Sequence, residues 1–95
     1  MFDSLKQCIT KLIDSLDKGI VIESEVLYGD AKLEYALSKD NYMASISVLS
    51  DYTYDYFAIE IESENTLSVK TKMFTNLDDL IAELTIDVSD FSSLE

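Results

Sequence analysis

The hydrophobic pattern of this 95-residue chain changes period twice, and the joints between its periodic runs are too short for crossovers. Leu5, Cys8, Ile9, Leu12, Ile13 and Leu16 fall at offsets 0, 3, 4, 7, 8 and 11. That is one stripe of a helix with about 3.6 residues per turn. Ser4 and Gln7 have the spacing of a capping box, and Gly19 suits the left-handed position just past a helix end. Lys6, Lys11, Asp14, Ser15 and Lys18 fall off the stripe.

Over residues 20–74 the period becomes two. Five runs, 20–28, 32–38, 42–50, 54–62 and 66–74, are separated by Gly29-Asp30, Lys39-Asp40-Asn41, Asp51-Tyr52-Thr53 and Ser63-Glu64-Asn65. Parallel strands need a long crossover, so connections this short join antiparallel neighbours. In the second run Leu33, Tyr35 and Leu37 alternate with Lys32, Glu34 and Ala36. In the third, Ala44, Ile46 and Val48 share one face, with Ser45 and Ser47 on the other. The fourth sets Phe57, Ile59 and Ile61 inward against Tyr56, Ala58, Glu60 and Glu62, and the fifth sets Leu67, Val69 and Met73 against Ser68, Lys70 and Lys72. One-sided alternation predicts a sheet covered on one face and wet on the other.

Helical spacing returns at Leu77, Leu80, Ile81 and Leu84, with Thr75 or Asn76 as N-cap and Asp78 and Asp79 in the first turn, where the helix dipole favours anions. Beyond Leu84, Ile86, Val88 and Phe91 either extend the helix or pack as an irregular tail over residues 86–95. The chain therefore reads as a single domain, residues 1–95, of the α+β class: a two-layer sandwich with an N-terminal helix, a five-stranded antiparallel meander and a C-terminal helix.

Composition narrows the function. There are seven Lys, no Arg, no His and nineteen Asp plus Glu, for a net charge of -12. A chain without His or Arg has no imidazole base or metal ligand and no bidentate phosphate clamp, and so large a negative charge repels nucleic acid. Apolar residues at 47% set it apart from a disordered acidic tail. Cys8 is alone and in the helical stripe, so it reads as a small hydrophobe in a reducing compartment. No apolar run approaches the ~20 residues of a membrane span, and residues 1–19 lack the basic start and unbroken apolar stretch of a signal peptide; the expected location is cytoplasmic. Glu60 and Glu62, roughly 7 Å apart on one strand face, are the nearest approach to an acid–base pair or a cation site, and they read as a solvated face. Asp51 and Asp55 lack the ligand spacing and glycine of a calcium loop. The expectation is a protein that is not an enzyme and takes no cofactor and no metal.

Charge placement suggests a surface. Residues 49–95 hold two of the seven lysines but eleven of the nineteen acids. Tyr52, Tyr54 and Tyr56 alternate into Glu60, Glu62 and Glu64, and with Phe57, Ile59 and Ile61 facing in they form an outer stripe. Tyrosine is enriched at protein interfaces, and a surface this acidic steers a basic partner toward it. These six residues are the candidate partner-binding site.

The stretch from Tyr54 to Leu84, YDYFAIEIESENTLSVKTKMFTNLDDLIAEL, resembles the C-terminal half of the TriTu immunity proteins of contact-dependent growth inhibition and related polymorphic toxin systems. An aromatic strand, an acidic IEIESEN turn, an outward-polar strand ending at Phe74 and an NLDDLIAEL helix carry the likeness, and the earlier elements follow in the same order. The chain departs from the family at the third turn, where Leu49 to Tyr52 reads Leu-Ser-Asp-Tyr in place of a Trp and a Gly, so no interface residue is carried over. The resemblance implies a bacterial cytoplasmic antitoxin that binds one cognate toxin domain, often a nuclease, as a monomer in a 1:1 complex, and blocks its active site or substrate path. The same acidity suits two alternatives: a phage-type mimic of nucleic acid that inhibits a defence nuclease, and a small acidic secretion chaperone.

Overall fold

The computed structural model describes residues 1–95. The chain runs α1 (Phe2–Leu16), β1 (Val21–Tyr28), β2 (Lys32–Lys39), β3 (Tyr42–Leu49), β4 (Thr53–Glu60), β5 (Thr66–Met73) and α2 (Leu77–Ser92). The strands neighbour one another in chain order and every pairing is antiparallel, which is the meander the short joints predict. Leu5, Ile9 and Ile13 of α1 and Leu80, Leu84, Val88 and Phe91 of α2 share one core with alternate residues of β2, β3 and β4. Both helices therefore cover the same sheet face. Lys6 ties α1 to Glu25 of β1 at 3.4 Å, whereas α2 packs beside α1 and over β4.

Both ends of α1 differ from expectation. α1 starts at Phe2 with Met1 as N-cap and no side-chain cap, so Ser4 lies inside the first turn and its capping box with Gln7 does not form. Its left-handed cap is Asp17 (φ 48°), whose N–H donates to the Ile13 carbonyl; Gly19 (φ 78°) turns the chain again two residues later. Cys8 is half-buried at the edge of the stripe. At α2 Asn76 is the N-cap: its side chain accepts from the Asp79 N–H at 2.8 Å and donates to the Asp79 carboxylate at 3.1 Å. Residues 86–95 resolve in favour of helix as far as Ser92, because Val88 and Phe91 complete the buried stripe begun by Leu80 and Leu84.

The two last strands face the opposite way from the expectation. Tyr54, Tyr56 and Ala58 are buried against the helices, whereas Phe57 and Ile61 are exposed. Register explains the reversal. Cross-strand partners share a face, and Val48, Ile46 and Ala44 pair with Tyr54, Tyr56 and Ala58. The same parity passes to β5, where Lys72, Lys70 and Ser68 pair with those residues on the helix side. Val69 and Met73 consequently point away from the core, at 66% and 73% exposure.

Candidate functional site

The inward turn of β4 builds a polar network under α2. The Tyr54 hydroxyl donates to Asp87 Oδ2 at 2.7 Å, and Lys70 Nζ meets Asp87 Oδ1 at 2.9 Å and Glu83 Oε1 at 3.0 Å. Lys72, one turn of the pleat further along β5, adds a 3.0 Å pair to Glu83. Asp87 is buried, and a buried carboxylate is tolerable only when paired and hydrogen-bonded. The hydrogen bond to Asp87 holds the Lys70 ammonium above its ordinary pKa. Lys72 and then Lys70 hold the Glu83 carboxyl below its ordinary value. Burial, and next the Asp87 carboxylate, push the Tyr54 phenol far up.

The candidate stripe is thus divided. Tyr54 and Tyr56 are core residues, and Tyr52 is half-buried against that core in the β3–β4 turn, at φ 68°. None of the three offers an outer aromatic face. Glu60 and Glu62 also do not share a strand: β4 ends at Glu60, and Glu62 and Glu64 are exposed in the following turn. Of the six, Glu60, Glu62 and Glu64 lie together at that end of the sheet.

The structure adds three carboxylates to the trio. Asn41, in the β2–β3 turn, accepts the Ile61 N–H on its carbonyl at 2.7 Å and the Glu62 N–H on its side chain at 3.2 Å, which locks the two turns together. The end of α2 is pinned to the same place. Lys39, buried at the end of β2, donates to the Leu94 carbonyl, and the Tyr42 hydroxyl donates to the Glu95 carbonyl at 2.5 Å. α2 has no basic residue in its own last turn, so Lys39 supplies the cation that a helix C-terminus favours. Asp40, Asp90 and Glu95 thereby join Glu60, Glu62 and Glu64 at one end of the molecule. Lys39 stands 3.8 Å from Asp40. Ile61, in the β4–β5 turn, and Leu67, at the start of β5, are exposed at the same end.

A hollow of about 240 Å³ opens at this end between the β4–β5 pair and α2, lined by Tyr56, Ala58, Leu67, Ser68, Asp87, Asp90, Phe91 and Leu94. Leu67 reaches it through a bulge: Ala58 pairs with Ser68 and Ile59 with Thr66, which leaves Leu67 unpaired and re-aimed. A wider hollow of about 530 Å³ lies at the opposite end, among Met1, Phe2, Asp3, Leu27, Gly29, Asp30 and Ser50, and its two acids are both exposed. No group of three acidic or cysteine side chains is disposed to hold a metal ion, and no helix is long and apolar enough to cross a membrane.

Sequence reasoning missed Asp40, Asp87, Asp90 and Glu95. Strand parity signalled Asp87, because a lysine at position 70 on the helix side needs an acid above it. The other three depend on which turns meet, which no local pattern encodes. Compared with family models, with curated proteins and with solved structures, the chain finds no match.

Proposed function

We propose that this protein is an immunity protein that neutralises a basic, nuclease-type toxin domain by docking its acidic end into the toxin's cationic substrate path. One observation carries the reading: five of the seven lysines are spent on internal ion pairs with Glu25, Glu34, Asp40, Glu83 and Asp87, which leaves fourteen of nineteen acids without a cationic partner. Some of the fourteen serve the fold, as Asp51, Asp55 and Asp79 do by accepting hydrogen bonds, but a net surplus of this size works against a compact state. It does accelerate encounter with a basic surface and competes for a groove built to hold phosphates. The exposed apolar Ile61 and Leu67, beside the Glu62 and Glu64 turn, offer apolar contact area next to those charges.

The reading places the protein in the cytoplasm of a bacterium that makes the toxin, as a monomer in a 1:1 complex. Co-expression with the toxin domain encoded beside it is the test. Continued growth and a co-purifying 1:1 complex are the expected results. Cell death despite expression of the protein, or no complex, overturns the reading.

A further inference from the structure

We propose that the hollow between β4–β5 and the end of α2 is a receptor for the guanidinium of a single arginine side chain, presented by the basic partner. The inference rests on the immunity reading for the identity of that partner, but not for its chemistry.

Tyr56 points to a ligand. It is 95% buried, lines the hollow, and its hydroxyl makes no hydrogen bond within the chain. Every fully buried side-chain polar atom in the protein has a partner, so the Tyr56 oxygen retains its access through the hollow itself. The Tyr56 ring is thus buried while its oxygen opens into the hollow with no partner from the chain, free to meet a donor that enters. Asp87 and Asp90 stand near enough to push the Tyr56 phenol further up than burial alone does. Asp87 is already neutralised by Lys70, whereas Asp90 has no cationic partner and carries the net charge of the site.

These groups match a guanidinium. It offers donors in a planar fork, which suits acceptors arriving from several directions, and it is weakly hydrated enough to enter a half-apolar hollow. The phenol oxygen and the Asp90 carboxylate take N–H groups. Ala58, Leu67 and Leu94 cover the methylene stem, and Phe91 provides an aromatic wall.

The test needs no toxin, so it separates this inference from the immunity reading. The isotope-labelled protein is titrated with n-butylguanidinium, n-butylammonium and neutral N-butylurea while the resonances of Tyr56, Leu67, Phe91 and Leu94 are followed. Saturable shifts at those residues are expected with n-butylguanidinium, weaker ones with n-butylammonium and none with N-butylurea. Asp90→Asn should weaken n-butylguanidinium binding by about tenfold, the worth of one charge-assisted hydrogen bond, and Tyr56→Phe should weaken it less. Absence of saturable shifts, equal response to the urea, or undiminished binding by Asp90→Asn overturns the site. Tighter binding of n-butylammonium overturns its assignment to arginine.

Discussion

Tyr54 of β4 and Asp87 of α2, 33 residues apart in the chain, share a 2.7 Å hydrogen bond in the interior. It lies on the inward face that pairing with β3 sets for β4, and it anchors the part of α2 that leads to Asp90 and Glu95. Tyr56, two residues on and equally inward, has no such partner. The two tyrosines should therefore respond oppositely to loss of their hydroxyls. Tyr54→Phe strips a donor from a buried carboxylate and should lower stability by about 1–3 kcal/mol. Tyr56→Phe removes an unpartnered oxygen and should stay within about 0.5 kcal/mol of the parent. Urea denaturation of both variants checks the contrast; equal losses contradict it.

The direction of β4 and β5 has its own test. Glutamate at Ala58, which is buried, places a carboxylate in the core without a partner and should cost more than about 3 kcal/mol. Val69→Glu alters the open sheet face and should change stability by less than about 1 kcal/mol. Under the opposite facing, the ranking inverts.

Phe91 reports on the end of α2. Its side chain is buried at 1% exposure beside Val88 and the strands, so Phe91→Ala should cost about 3–5 kcal/mol and lower the helix signal in circular dichroism. An irregular, loosely held tail would lose about 1 kcal/mol or less.

Stability should collapse at alkaline pH. Tyr35, Tyr54 and Tyr56 are all pushed upward chiefly by burial, and Lys70 is raised chiefly by its hydrogen bond to Asp87. For each group the folded state favours the protonated form. Its contribution is thus fully present below the unfolded pKa, about 10 for tyrosine and slightly higher for lysine, and is lost as pH rises toward the folded value. Tyrosinate absorbance from the three buried phenols should appear only together with loss of ellipticity. Their ionisation in a still-folded protein would show that burial does not protect them.

Much of this architecture is legible in residue order. The change from helical to alternating spacing and the two- to four-residue joints lead to the meander without further information. The facing of β4 is not legible in the sequence because both of its sides are apolar: Phe57, Ile59 and Ile61 outrank Tyr54, Tyr56 and Ala58 in hydrophobicity, yet register overrides that ranking. An odd-length turn puts Val48 opposite an even-numbered residue of β4, and pairing then carries the inward face across. The parity also reassigns Lys70 and Lys72 from an outer face to ion pairs with Glu83 and Asp87. The acidic end is half-legible, since Glu60, Glu62 and Glu64 are neighbours in sequence. Asp40, Asp90 and Glu95 join them only through Asn41, Lys39 and Tyr42, contacts that tertiary packing alone creates.

The central claim is that the acidic end steers and seats a basic toxin. The measurement that tests it most directly is the association rate with the toxin domain encoded beside this protein, across a range of ionic strength, for the parent and for Glu62→Lys with Glu64→Lys. The parent should associate fast and slow steeply with added salt. The double variant should associate about tenfold more slowly or worse at low salt, with a flatter salt dependence and an unchanged fold. No complex with the parent, or identical salt dependence in both proteins, contradicts the account.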